Sequence, residues 1–194
     1  MAKKIHWIKE RKQLELLASP LRHAIIDRLT AQGPLAVGDI AMALGCRQTA
    51  VYRHLHLLQK GGLVTSKSKG GSGKGRPVQL YRAVAEHIRF ARAPRDQRNW
   101  STMTRICRTV AKQAAKDYSS GFRTPECRIE GASRNQWFFR LFAAPSRARL
   151  ARINALLDEL VELVWAPDPN PGDPISVAWF MSPMESRAQR RKPR

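Results

Sequence analysis

LAVGDIAMALGCRQTAVYRHLHLLQKGGL, residues 35–63 of the chain, decides the fold. Apolar residues recur at helical spacing from Val37 to Leu44, and Gly45 then provides the backbone freedom that ends a first helix. A second helix is predicted from Arg47 to about Lys60. The stretch therefore predicts two short helices that are joined by a tight turn.

The second predicted helix has two chemically different faces. Val51, Leu55 and Leu58 form a narrow apolar stripe that is expected to face a core. The opposite side carries hydrogen-bonding side chains, namely Gln48, Thr49, Tyr52, Arg53 and His56. Such a helix pair fits a DNA-reading helix-turn-helix and also an ordinary helical hairpin with a solvated outer face. The pair alone does not separate these two interpretations.

A basic hairpin is predicted directly after the helix pair. Two short β-type runs, residues 63–65 and 78–82, flank the glycine-rich loop KSKGGSGKGRP. The loop segment GSGKG does not match a phosphate-binding loop, because Gly75 follows Lys74 where serine or threonine is required. The hairpin is therefore interpreted as a wing with four cations, Lys67, Lys69, Lys74 and Arg76.

Several motifs in this order resemble the winged-helix domain of ArsR-type transcription regulators. They are SPLRHAIIDRL from residue 19, the helix pair, GGLV from residue 61 and GRPVQLYR from residue 75. The resemblance covers roughly residues 14–84, and it implies a winged helix-turn-helix that binds double-stranded DNA and regulates transcription. It also implies a homodimer that forms through helices flanking the winged domain and reads an inverted repeat.

The candidate DNA contacts follow from the donor and acceptor pattern of base edges. Gln48 can read adenine bidentately, Arg53 can read guanine, and Thr49 or Tyr52 can touch a thymine methyl group. The candidate base-reading residues are Arg47, Gln48, Thr49, Tyr52, Arg53 and His56. The wing cations Lys67, Lys69, Lys74 and Arg76 are expected on the phosphate backbone. For His54, a packed role and a base contact both fit.

The charge balance points to a polyanionic partner. A formal net charge of +20 repels itself in the folded state unless a polyanion offsets it. Charge alone would equally suit a nonspecific nucleoid-architectural or RNA-binding protein. No apolar run approaches the ~20 residues of a membrane-spanning helix, and the N-terminus lacks the apolar segment of a secretory signal. The sequence therefore predicts a cytoplasmic, nucleoid-associated protein with no membrane contact.

Neither catalysis nor metal binding is indicated by the sequence. Acidic residues are sparse, and no Ser-His-Asp, Cys-His or metal-binding spacing occurs, so no enzyme activity and no cofactor are predicted. Cys46, Cys107 and Cys127 are far apart and odd in number, which is typical of a reducing compartment. They are interpreted as small buried apolar groups and not as metal ligands.

Further helices flank the central pair. Residues 5–17 can form a first helix, and Ser19-Pro20 begins another that ends at Gly33-Pro34. After a basic connection, residues 99–118 form a long amphipathic helix whose apolar seam comprises Trp100, Met103, Cys107, Val110 and Ala114. Such a seam either packs on its own chain or pairs with a second subunit, and residues 85–121 are predicted as a linker and a dimerisation helix.

The last part of the chain is predicted as a small α+β unit over residues 122–183. It would contain a strand at 136–142, a helix to about Trp165 and a second strand at 175–181. Its aromatic residues fit a small core better than a ligand pocket, although an unknown small-molecule or protein signal could act here. Residues 184–194 form a basic tail that is expected to be disordered. The whole chain is therefore mainly α in an α+β class, with the winged domain over residues 1–84.

Overall fold

The computed structural model of the chain describes residues 5–69, 78–90, 93–166, 168–170 and 172–184. The elements are β1 (Ile5–Trp7), α1 (Arg11–Leu17), α2 (Pro20–Gln32), β2 (Leu35–Ala36), α3 (Val37–Leu44), α4 (Gln48–Lys60), β3 (Val64–Lys69), β4 (Val78–Ala83), β5 (His87–Arg89), α5 (Trp100–Gly121) and α6 (Arg147–Trp165). The predicted fold class, α+β with mostly helix and an N-terminal winged helix-turn-helix, is confirmed.

The chain divides into two compact units, Met1–Gln113 and Ala114–Arg194. The boundary lies inside α5, so this helix contributes to both units. The finer division predicted from the sequence, with boundaries at residues 84, 121 and 183, stays a prediction. Among the described residues, none of the helices combines the length and the apolar character that a membrane crossing requires.

The N-terminal segment differs from the predicted helix over residues 5–17. Ile5–Trp7 forms the strand β1, which pairs in parallel with β5, and helix α1 begins only at Arg11. The pairing continues at Ile8, whose backbone N–H donates to the carbonyl of Arg89 at 2.9 Å. The helical prediction for residues 5–10 was wrong because a pairing partner about eighty residues away along the chain competes with the local helical pattern.

Helix α2 and the central pair, α3 and α4, begin and end close to the predicted positions. α2 begins with Pro20 and ends before Gly33, whose φ is +81°. α3 ends at Leu44, and Gly45 adopts the left-handed conformation at φ +60° that favours glycine. The backbone N–H of Ala36 donates to Asp39 Oδ2 at 3.4 Å, which replaces part of the cap that an alanine side chain cannot provide.

The wing is an antiparallel sheet of three strands in the order β2-β4-β3. β3 and β4 pair along their full length, from Val64 opposite Ala83 to Lys69 opposite Val78. The short strand β2 joins through Leu35 opposite Tyr81, which ties the segment before α3 to the wing. The tip of the predicted wing, residues 70–77, lies outside the described residues.

The hydrophobic core belongs to the N-terminal unit. Its largest fully buried side chains are Ile8, Leu14, Leu17, Ile25, Leu29, Ile40, Val51, Leu55, Leu58 and Leu63. These residues come from α1, α2, α3 and α4 and from the chain segments beside β1 and β3. The core therefore fixes the orientation of α4, because three of its side chains are anchored in it.

The first half of α5 packs on this core with a face that overlaps the predicted seam only in part. Thr102 and Ile106 are buried, and Met103 and Val110 are partly buried against the core. Cys107, placed in the seam by the sequence pattern, is exposed. The seam prediction was partly wrong because the helix turns Ile106, which is one residue earlier, towards the core. Cys46 and Cys127 are half-buried, and Cys46 packs against the core, so the interpretation of the cysteines as buried groups was wrong for Cys107 and holds only in part for the other two.

The C-terminal unit contains helix α6 as predicted, but neither predicted strand. The described residues of 136–142 and 175–181 form no strand pairing. Trp137 and Phe138 are exposed, and no described residue from 122 to 184 is buried, so the aromatic residues do not fill a core. The strand predictions were wrong because apolar β-type segments form strands only where a neighbouring strand and a covering layer are present. The predicted tail beyond residue 184 lies outside the described residues.

Candidate nucleic-acid interface

Helix α4 presents one polar face to solvent and buries the other. Val51, Leu55 and Leu58 point into the core, with relative exposures of zero. All six candidate base-reading residues are exposed, namely Arg47, Gln48, Thr49, Tyr52, Arg53 and His56. Arg47 is the residue before the first turn of the helix, and the others follow on the helix itself. The structure therefore brings the six candidates together on one accessible surface.

Only two of the four candidate wing cations lie in the part of the chain that the structure describes. Lys67 and Lys69 are exposed on β3 and, two residues apart, lie on the same face of the strand. Lys74 and Arg76 lie outside the described residues. Among the described residues, no ion pair engages Lys67, Lys69, Arg47 or Arg53. These cations are therefore available to an external anion.

A hydrogen-bonded bridge connects α4 to the wing. The side-chain amides of Gln59 on α4 and Gln79 on β4 both donate to Ser66 Oγ on β3, at 3.0 and 2.9 Å. The bridge fixes the wing relative to α4, and it was not predicted from the sequence. No local pattern marks these residues, because they come from three separate elements that meet only in the folded domain.

Arg22, near the start of α2, stabilises the domain and is not directed at a ligand. Its guanidinium donates to the backbone carbonyls of Leu16 and Glu15 at the end of α1. A cation at a helix C-terminus interacts favourably with the carbonyl groups that have no partner within the helix. His23 also turns inward, where its ring stacks on Phe90 with 6.2 Å between centroids.

His54 lies on α4 between the buried and exposed faces of the helix. Its Nδ1 is buried and has no hydrogen-bond partner among the described residues. Burial lowers the pKa of the His54 imidazole from its ordinary value, and the nearby Arg22 and Arg53 guanidinium groups lower it further. Of the two roles that the sequence left open for His54, the packed role is the one its burial favours.

The low pKa of His54 predicts a loss of stability in mild acid. Protonation favours the unfolded state, where the imidazole has its ordinary pKa of about 6.5. The stability that the neutral His54 contributes is therefore fully present above that pH and is lost as the pH falls. We expect the free energy of unfolding to decline below about pH 6.5 and to decline less in the variant His54→Gln. Urea titrations between pH 5.5 and 7.5, about one unit either side of the ordinary value, would measure this.

The matched control for this prediction is His56→Gln, which changes an exposed histidine on the same helix. The free energy of unfolding of this control variant is expected to decline with falling pH as much as that of the unmodified protein does. An equal decline in the His54→Gln variant and the unmodified protein would contradict the assignment to His54.

The described residues contain no cluster of three or more histidine, cysteine, aspartate or glutamate side chains that could hold a metal ion. The exposed face of α4 instead offers amide, hydroxyl, phenol, imidazole and guanidinium groups. These are hydrogen-bonding groups that can read base edges, and the wing beside them adds cations that suit phosphate groups. The arrangement can therefore bind a polyanion and discriminate among hydrogen-bonding patterns on it.

The fold and this surface define the N-terminal unit as a winged helix-turn-helix domain. Residues 17–67 match the family described as "Helix-turn-helix domain". The HTH-type transcriptional regulator Rv2034 of Mycobacterium tuberculosis is 43% identical over 56 residues, which are 29% of this chain and 51% of the relative. The chain thus spans about half the length of this curated relative. The matched segment is thus similar to helix-turn-helix domains in sequence as well as in fold.

Proposed function

We propose that this protein is a sequence-specific regulator of transcription that binds double-stranded DNA and belongs to the ArsR-like winged-helix type. α4 would enter the major groove with Gln48 and Arg53 towards the base edges. Lys67 and Lys69 on the wing would neutralise neighbouring phosphates. The protein would act in the cytoplasm, where it would be associated with the nucleoid, without a catalytic role.

The observation that carries the proposal is that α4 has a buried apolar face and an exposed polar face. Val51, Leu55 and Leu58 are fully buried, and the six candidate base-reading residues are all exposed on the other side. Nonspecific binding requires cations, but it does not require an accessible face with amide and hydroxyl groups at the start of the helix. The similarity to an HTH-type transcriptional regulator also supports gene regulation as the purpose of binding.

The proposed regulator is a homodimer that reads an inverted repeat. An exposed stripe on the first part of α5 supports this part of the proposal: Trp100, Cys107 and Ala111 follow helical spacing and are exposed. A second copy packed on this stripe would form a symmetric dimer, and two recognition helices would read half-sites about 34 Å apart. The C-terminal unit, which lies outside the matched segment, is the part of the chain left for a small-molecule or protein signal.

The contrasting function is nonspecific binding, as in a nucleoid-architectural or RNA-binding protein, which the net charge of +20 would also suit. Double-stranded RNA has a deep, narrow major groove that does not admit a helix, so the exposed polar face of α4 favours DNA. An enrichment experiment separates the two functions. Purified protein is incubated with a random-sequence duplex library at physiological salt, where contacts that rest on charge alone are weakened.

We expect this experiment to enrich an inverted-repeat motif whose half-sites are centred about 10 base pairs apart. Such a motif would establish both the sequence preference and the dimer. Uniform binding that fades as salt rises, with no enriched motif, would contradict the specific-regulator proposal and favour the nonspecific function. A motif with a single half-site would retain the regulator but contradict the dimer.

A further inference from the structure

Helix α6 carries an exposed apolar stripe in the C-terminal unit. Ile153, Leu156, Leu160 and Leu163 follow the alternating spacing of three and four residues that is typical of a helix-packing seam. The last three are 47%, 36% and 72% exposed, and no residue of α6 is buried. Leucine side chains at this spacing are unfavourable in water unless another surface covers them.

The charges of α6 are separated along its axis in an unusual way. The N-terminal part carries three arginines and no acid, at Arg147, Arg149 and Arg152, and the C-terminal part carries three acids and no base, at Asp158, Glu159 and Glu162. Cations near a helix N-terminus and anions near its C-terminus oppose the helix macrodipole. α6 is therefore better stabilised beside a helix of opposite direction and the same sequence, because each basic end then lies near an acidic end.

Two of these charges stand beside the apolar stripe. Arg152 precedes Ile153 and Glu159 precedes Leu160, so both flank the stripe on the same side, seven residues apart. In an antiparallel pair in which Ile153 of each copy packs on Leu156 of the other, Arg152 faces Glu159 of the other copy, whereas in a parallel pair each would face an apolar residue. Neither side chain forms an ion pair with a described residue of its own chain.

We infer that α6 is a self-association surface whose occupant is a second copy of α6 in antiparallel orientation. The stripe supplies the apolar contact, and two symmetric pairs between Arg152 and Glu159 set the direction. The charge pattern of α6 is complementary to itself, which identifies the second copy as the partner. This surface is separate from the stripe on α5, and it does not depend on DNA binding.

Two charge-reversal variants of the full chain test the inference. Arg152→Glu places two acids beside the stripe, and Glu159→Arg places two cations there, so each variant is expected to repel itself. We expect each to weaken self-association by about tenfold or more, as measured by sedimentation across a range of concentrations. A mixture of the two variants in equal amounts should associate as the unmodified protein does, because every facing pair then has opposite charges.

The design distinguishes the specific pairing from a general charge effect. Arg152→Glu lowers the net charge of +20 and Glu159→Arg raises it, so self-repulsion of the whole chain would move the two variants in opposite directions. Asp158→Arg and Arg147→Glu make the same kinds of change on the far side of the helix from the stripe, and they should leave association unchanged.

Weakening in both single variants, together with recovery in their mixture, would support antiparallel pairing of α6. A protein that stays monomeric at all concentrations would overturn the inference. The inference would also be overturned if neither charge reversal weakened self-association. Failure of the equal mixture to regain the self-association of the unmodified protein would overturn it as well. DNA binding measured on the same samples separates this outcome from the proposed regulatory function.

Discussion

Replacing Arg53 with alanine is expected to remove much of the sequence preference of DNA binding by the proposed regulator. The exposed guanidinium of Arg53 has no ion-pair partner among the described residues, so it can form a bidentate contact with guanine. Losing such a contact costs about 1–3 kcal/mol of discrimination at one base pair. Binding to the enriched motif should therefore weaken about tenfold or more, while binding to unrelated DNA changes much less.

The measurement is a set of titrations against the enriched duplex and against duplexes with each base pair of the half-site changed. Gln48→Ala should relax a different position of the half-site, one at which adenine is preferred. Lys67→Ala is the matched control on the wing, because it removes an exposed cation without removing a base contact. This control should weaken binding to all duplexes alike and reduce the salt dependence by about one counterion.

A uniform loss of affinity in the Arg53→Ala variant, like that of the wing control, would contradict base reading by Arg53. It would mean that the residue contributes only charge. The same outcome for Gln48→Ala as well would contradict the reading face on α4 altogether.

Replacing Leu55 with alanine is expected to destabilise the N-terminal unit strongly. Leu55 is completely buried at the centre of α4, within the core cluster that joins the first four helices. Replacing a buried leucine with alanine lowers the free energy of unfolding by about 2–5 kcal/mol, which includes the cost of the cavity that remains. This is a large share of the ~5–15 kcal/mol that stabilises a typical domain. Urea denaturation followed by circular dichroism measures the loss.

His56→Ala, one position further along the same helix, is the matched control. His56 is exposed, so its removal should change the free energy of unfolding by no more than about 0.5 kcal/mol. The two adjacent variants thus separate the buried face of α4 from its exposed polar face. A similar small effect for Leu55→Ala would contradict the placement of this side chain in the core.

The N-terminal domain shows how far local sequence patterns predict structure. The stripe of Val51, Leu55 and Leu58 predicted which face of α4 is buried, and Gly45 predicted where α3 ends. Both predictions are confirmed, because helix periodicity and the left-handed turn depend on residues close together in the sequence. The exposure of the six candidate base-reading residues follows from the same periodicity, while their role on DNA stays a prediction.

The errors occur where a distant partner decides the conformation. Residues 5–7 form a strand because β5 provides a pairing edge, and the segments 136–142 and 175–181 form none because the described chain offers no neighbouring strand to them. The face of α5 that packs was misassigned in part because the helix has several apolar residues around its axis, and only contact with the core selects Ile106 over Cys107.

The sequence by itself determined the helix pair, the turn, the wing strands and the exposed polar face of α4, since each depends on spacing within a few residues. Only the tertiary structure decided the β1–β5 pairing, the bridge of Gln59 and Gln79 to Ser66, and the burial of His54. The physical reason is that these features join groups from separate elements. Their stability arises from the packing of a whole core, which no local pattern contains.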